Sequence, residues 1–398
     1  MAKISDATSA KRVKTEDIDP IFQSFWRDGV KRKQIERAIS ALENGSDDLS
    51  FGVLHLDVLN AHKKRSFVDA FIEYSPLNLY LYTDDKAYGF DAGVLFADGL
   101  DILKQYTDIE KPKIPSNIFE RRALQNLLGF LSDEKDHKIL LDEMTSEADQ
   151  CVILAQHLLS RLTVDRNYTV TSYPGFTTGG TKCLCKQNDD LIGTIGDTSY
   201  GCENGWHGNT DIILEGADVQ VAYIRQKEEE EDVSVSSVSD LNSKDYKRVI
   251  AQTIVFSFLQ KKMHGNKLKN CLIPGVGISQ RKIIVYFYDS ENDILLSTKP
   301  LQLFRDDEIS SSTLVFLWLT LNYRQFCSGI PDALKRFKAG FLDNPVLRQM
   351  YNDEVARPMH VCDTKADNMF PWSEKTVPLK SNKPTVEFVD LFQQQDDR

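Results

Sequence analysis

The sequence predicts an α/β protein in which a sheet is flanked by helices, behind a mainly helical N-terminal region. Three observations lead there. Apolar residues recur at helical spacing from Pro115 to Leu162, the period falls to two after Leu162, and a further helix followed by alternating segments begins at Asp245. Strands interleaved with helices imply a sheet covered by helices. A length of 398 residues allows two domains or one large elaborated one. With 41% hydrophobic and 27% charged residues the chain can bury a core, which excludes wholesale disorder.

The elements follow in order. Residues 1–18 are a polar tail whose Ala10-Lys11-Arg12-Val13-Lys14 cluster, with Lys31-Arg32-Lys33 as a second arm, has the composition of a nuclear localisation signal. An importin is therefore a candidate partner through Lys11, Arg12 and Lys14; the alternative is a solvated basic tail. Residues 19–145 form the mainly helical region. Asp19-Pro20 opens a helix, and Ile21, Phe22, Phe25 and Trp26, then Val30, Ile35, Ala38, Ile39 and Leu42, give two helices broken near Asp28-Gly29 and ended by Gly45. Residues 50–110, with runs such as Leu79–Tyr82 and Val94–Phe96, give small strands and a helix. Ser116 and Ser132 are candidate caps, and Ser146-Glu147-Ala148-Asp149 opens the helix bearing Val152, Ala155, Leu158 and Leu159.

An α/β core spans residues 146–345. Its expected strands are Tyr168–Tyr173, Lys182–Lys186, Leu191–Ile195, Asp211–Leu214 and Val219–Ile224, then Ile283–Tyr288 and Ile294–Ser297 after a helix over Asp245–Lys262. Residues 227–244, with four consecutive glutamates and a serine-rich run, are a flexible insert too polar to pack. Leu314–Phe337 is an apolar helix, and residues 346–398 form an irregular tail.

The balance of 48 basic and 59 acidic side chains, −11 overall, repels a polyanion unless basic residues gather on one face, which argues against a nonspecific nucleic-acid coat. No run approaches the ~18 apolar residues of a membrane span, and the first 30 residues lack a secretion signal's apolar core. The expectation is a soluble intracellular protein, nuclear or cytoplasmic, with no membrane partner.

Seven scattered cysteines are an odd set that reads as reduced thiols. Cys183, Cys185, Cys202 and His207 have the ligand types of a zinc site, but the one-residue gap in Cys183-Leu184-Cys185 departs from the usual two to four and fits a strand with both sulfurs on one face. Gly175–Lys182 looks like a phosphate loop with its threonine and lysine in the wrong order and a strand, not a helix, behind it. There is no Gly-x-Ser-x-Gly turn. His55, His62, His137 and His157 lie in segments without a partner pattern; only His207 stands out, in a glycine-flanked turn, Gly205-Trp206-His207-Gly208, that feeds a strand opened by Asp211.

That segment carries a resemblance. The order from Ser146 onward (helix, strands, an acid opening one strand, another strand, then the helix containing Val249-Ile250-Ala251-Gln252-Thr253) resembles the restriction-endonuclease-like, or PD-(D/E)XK, nucleases of the RecB-like branch. The blocks Trp206–Leu214, Ile250–Lys261 and Ile283–Ser290 also resemble a group of invertebrate proteins with a core of this kind. The resemblance covers residues 146–300 and implies a central mixed sheet flanked by helices. It further implies a metal-binding aspartate at Asp211, a supporting glutamine at Gln252 and an optional first acid at Glu147. The adjacent strand should carry acid-x-lysine, since two residues at period two share a face and there hold Mg²⁺ and orient the attacking water.

This chain departs from that pattern. The corresponding residues are Gln220-Val221-Ala222, or in a shifted frame Asp218-Val219-Gln220, which restores an acid and sets Gln220 in the lysine position; Val233-Ser234-Val235-Ser236 offers neither group. Losing a carboxylate removes charge that holds Mg²⁺, and losing the lysine slows hydrolysis. The leading expectation is a nuclease-like protein with a degenerate metal site (Asp211, Asp218 and Glu147 as ligands, Gln220 and Gln252 beside them), inactive or weakly active, that binds nucleic acid or a protein partner through the inherited cleft. The alternatives are an active Mg²⁺-dependent DNA or RNA nuclease and an interaction scaffold with no nucleic-acid role.

Overall fold

The computed structural model describes residues 20–76, 90–141, 146–172, 182–185, 189–225 and 244–357. It is α/β, built on a large mixed sheet. From one edge the strands run Ile72–Pro76, Ser50–Val58, Ile294–Thr298, Lys282–Asp289, Leu272–Ile278, Val219–Tyr223, Ile212–Leu214, Tyr168–Thr171 and Thr194–Gly196. Neighbours are antiparallel except at two places: Val219–Tyr223 beside Leu272–Ile278, and Tyr168–Thr171 beside Thr194–Gly196. Leu272–Ile278 and Ile294–Thr298 are buried along their whole length, as central strands covered on both faces must be.

Alternation along Lys282–Asp289 separates the two faces. Phe287 points to the side where Phe51 and Phe96 meet it and Phe316 packs on both of them, and the helices Gly29–Glu43, Ala97–Thr107 and Ser311–Leu321 cover that side. Tyr288 points the other way, to Phe258 of the Lys244–His264 helix and to Phe341. The N-terminal region therefore supplies one cover of the sheet and also three of its strands: Ser50–Val58 pairs with Ile294–Thr298, and Ile72–Pro76 and Phe90–Asp91 pair with Ser50–Val58. It shares one hydrophobic core with the remainder.

Local signals account for most of the helix boundaries. Asp28 accepts from the amides of Val30 and Lys31 and caps Gly29–Glu43, while Ser146 accepts from Asp149 to cap Glu147–Leu154. Two expected caps lie one residue off: Asn117 rather than Ser116 caps Ile118–Leu131, and Asp133 rather than Ser132 receives the amides of Lys135 and Asp136. Asn caps as well as Ser does, so composition alone does not separate adjacent candidates.

Other expectations need correction. Lys182–Lys186 is not a strand: Lys182 makes an isolated bridge to Asp190, and Cys183 to Cys185 follow a bend. Trp206–Asn209 is itself a strand, in a separate three-stranded sheet with Arg65–Ser66 and Ser199–Gly201. The apolar helix expected to Phe337 ends at Leu321 and is followed only by a short turn of helix at Tyr323–Phe326. Pro345–Glu354 is helical, capped by Asn344, at the start of the segment expected to be irregular. The basic tail, Leu79–Tyr82, the glycine-rich run ending at Thr181, residues 227–243 and the chain beyond residue 357 lie outside the described residues. Among the described residues no helix is long and apolar enough to cross a membrane.

One contact sets the closeness of helix and sheet. A Cβ at Gly275 would stand 2.0 Å from Thr253 Oγ1 and 2.4 Å from Gln220 Nε2, so only glycine lets the Lys244–His264 helix approach this strand. Gly275→Ala is expected to lower the unfolding free energy by about 1–3 kcal/mol, the usual cost of overpacking. Equilibrium urea denaturation checks it, and an unchanged midpoint would show that the helix can back away freely.

Candidate functional site

The hairpin Ile212–Leu214 and Val219–Tyr223 decides where the expected site residues stand. Its register pairs Val219 with Leu214 and Val221 with Ile212, so one residue further Ala222 stands opposite Asp211 at the open end. Asp218 lies at the turn end, in the left-handed region at φ 50°. Four residues separate Asp218 from Ala222, about 13 Å at the strand rise, so Asp211 and Asp218 do not converge on one ion. Glu147 and Gln252 do lie at Asp211's end.

Asp211 is buried at 6% exposure. Its Oδ2 accepts the Tyr223 amide at 2.7 Å and the Arg248 guanidinium at 3.3 Å, and Arg248 also donates to the Tyr223 carbonyl. Arg225, exposed, donates to Glu147 Oε2 at 2.7 Å, and that bond, with the charges of Glu147, Asp245 and Asp211, holds its proton more tightly than usual. Gln252, fully buried one helical turn beyond Arg248, donates from Nε2 to the Asn209 carbonyl at 3.0 Å while its Oε1 has no partner. A buried acceptor left bare costs about 1–3 kcal/mol, which a water or ligand reaching this end would offset.

Gln220 belongs to the interior. Its Oε1 accepts from Thr210 Oγ1 at 3.0 Å and its Nε2 donates to Thr253 Oγ1 at 3.3 Å, with no exposure at all. This amide locks strand to helix and does not stand in the lysine position. Asp218 is engaged elsewhere: Arg324 pairs with it, and His264 Nε2 lies 3.2 Å away, close but poorly aligned for a hydrogen bond. Both line a cleft of about 410 Å³ with Glu120, Glu215, Lys267 and Tyr323, at the opposite end of the hairpin from Asp211.

These donors do not fit Mg²⁺. The ion needs near-octahedral oxygen ligands and one or two carboxylates free to take it. Here a guanidinium already occupies the cation's side of Asp211, Glu147 is held by Arg225, and Ala222 and Ile224 occupy the face where acid and lysine are required. Arg248 and Arg225 are the residues that sequence reasoning missed. Arg248 lies four residues before Gln252, on the same helix face, which is the signal that could have found it.

Cys202 and His207 stand apart from Cys183 and Cys185. Cys202 Sγ donates to Glu354, with burial and that carboxylate pushing the thiol up to about 12, and His207 Nδ1 lies 3.1 Å from the Gly205 carbonyl. No family model, curated protein or solved structure matches this chain.

Asp211→Ala leaves a mostly buried guanidinium without its carboxylate and is expected to cost about 3 kcal/mol, the range for breaking a buried pair. Adding Arg248→Met should recover most of that loss in urea melts; a loss undiminished in the double variant would mean that Asp211 acts through some other partner.

Proposed function

We propose that this protein is a catalytically silent relative of the restriction-endonuclease-like nucleases that contacts a nucleic acid at the Asp211 end of its sheet. The likeness is supported by connectivity. The helical stretch from Glu147 to Leu162 precedes three successively antiparallel neighbours (Tyr168–Thr171, Ile212–Leu214 and Val219–Tyr223), and the Lys244–His264 helix then leads to Leu272–Ile278, parallel to the third. The hairpin opened by Asp211 and followed by the Gln252 helix is the part on which the resemblance rests; Thr194–Gly196, Ser199–Gly201 and Trp206–Asn209 intervene between the first and second of these strands.

The observation that carries the reading is the ion pair between Arg248 and Asp211. A guanidinium neutralises the carboxylate permanently, whereas a hydrolytic site must offer it to a metal, and Ala222 near the end of the opposite strand and Ile224 just past it stand in place of acid and lysine. Arg225 and Lys244 are exposed near this end and offer charge to a phosphate backbone. The net charge of −11 favours a second reading, a protein partner at the same end.

Incubation with single- and double-stranded DNA and RNA in Mg²⁺ or Mn²⁺ is expected to give no cleavage above buffer. Turnover that Asp211→Asn abolishes would overturn the proposal. Fluorescence anisotropy should detect salt-dependent binding that weakens several-fold in Arg225→Ala/Lys244→Ala. Binding indifferent to both substitutions would remove the nucleic-acid assignment and leave the protein partner.

A further inference from the structure

A second cluster lies away from Asp211, where the helix containing His157 meets the segment carrying Cys183 and Cys185. The helix from Glu147 to Leu162 is interrupted by a π-helical stretch, Ala155–Leu159. Such wide turns concentrate at functional sites because they redirect side chains out of the regular series. This one presents two consecutive polar side chains to the neighbouring segment. Gln156 donates to the Asp190 carbonyl and accepts from the Tyr168 hydroxyl and the Ile192 amide. His157 Nε2 comes within 3.3 Å of Cys183 Sγ.

The three groups have the spacing of ligands around one ion. Zinc bond lengths of about 2.0 Å to nitrogen and 2.3 Å to sulfur set tetrahedral ligand atoms about 3.5–3.8 Å apart. Here the nitrogen–sulfur distance is 3.3 Å, and His157 nitrogen, Cys183 sulfur and Cys185 sulfur all lie within 4.8 Å of one another. The Cys185 amide also donates to Cys183 Sγ at 3.4 Å, as an amide beside a thiolate does. The one-residue gap that counted against zinc in the sequence brings both sulfurs to the same imidazole.

The outer arrangement is that of a metal-binding histidine. His157 Nδ1 lies 2.7 Å from Asp136 Oδ1, so the carboxylate fixes the ring with Nε2 toward the sulfurs, and Arg161 Nε stands 2.8 Å from the other carboxylate oxygen. Ligating histidines almost always donate their other ring N–H to a carboxylate, a backbone carbonyl or water.

We propose that His157 Nε2, Cys183 Sγ and Cys185 Sγ bind one zinc ion, oriented by Asp136, with water as the fourth ligand. Thiolate and imidazole ligands suit zinc and do not suit Mg²⁺. Among the described residues no further histidine, cysteine or acid joins the three. With exposures of 3% at His157 and 5% at each cysteine, the ligands lie within the fold rather than on its surface. Its role is to clasp the chain around Cys183 to the helix.

Elemental analysis of the purified full chain is expected to find about one zinc per molecule. Cys183→Ser and Cys185→Ser should lose it, while Cys271→Ser, at a half-buried thiol elsewhere, should keep it. Asp136→Asn should weaken zinc about ten- to a hundred-fold in chelator competition. Replacing zinc by Co²⁺ in the unmodified chain should give thiolate-to-cobalt charge-transfer absorption and tetrahedral visible bands, a readout that does not depend on the variants folding. A folded chain with no stoichiometric zinc, no thiolate–cobalt absorption, or metal retained in both serine variants would overturn the proposal.

Discussion

From Val249 to Gln260 the Lys244–His264 helix is enclosed on every side, and much of the molecule is arranged to satisfy it. Val249 through Gln260 are all buried, so the helix has no wet face on which to leave a polar group. Each polar side chain in that stretch must find a partner inside or bear the cost of going without. Thr253 bonds Gln220 and its own helix, Ser257 bonds the Tyr288 carbonyl, and Gln252 bonds Asn209. Arg248, where the helix begins to emerge, bonds Asp211. Strand, helix and candidate site are thus one hydrogen-bonded unit, drawn close by the missing side chain at Gly275.

The same enclosure explains the character of the Asp211 end. A carboxylate buried beside a helix is costly unless a charge and hydrogen bonds meet it. In this chain the charge is covalently part of the helix. An arginine cannot exchange as an ion does and has a planar fork instead of a coordination sphere, so the end is suited to holding shape rather than to activating water. The proposed zinc position is chemically the opposite, with soft ligands and a fixed imidazole, and it lies at a separate junction between helix and loop.

Features governed by neighbours along the chain were legible in the sequence, and features governed by register or by distant partners were not. The break at Asp28-Gly29, the cap at Ser146 and the strands around Ile212, Val221, Val285 and Leu295 follow from caps and alternation. The strand Leu272–Ile278 was missed because Pro274, Gly275 and Gly277 punctuate it, and such residues ordinarily argue against a central strand. They are accepted here because Gly275 admits the helix and Gly277 lies close to Ile224 and Ile284. Alternation showed that Val219–Ile224 would be a strand but not which of its residues would oppose Asp211. The turn through Gly216 and Asp218 sets that register, and it places Ala222 there. His157 showed no partner because Asp136, Cys183 and Cys185 lie 21, 26 and 28 residues away, and His157 sits in a π-helical stretch that no local pattern announces.

The pairing of Ser50–Val58 with Ile294–Thr298 imposes an order in time. Phe51 meets Thr298, 247 positions later in the chain (298 − 51). At ribosomal speeds of about 5–20 residues per second, that strand waits roughly 12–50 s for its partner to be made. Until then the edge of Ser50–Val58 that faces Ile294–Thr298 lacks its partner, although Ile72–Pro76 can already pair with the other edge, so the sheet closes only late in synthesis.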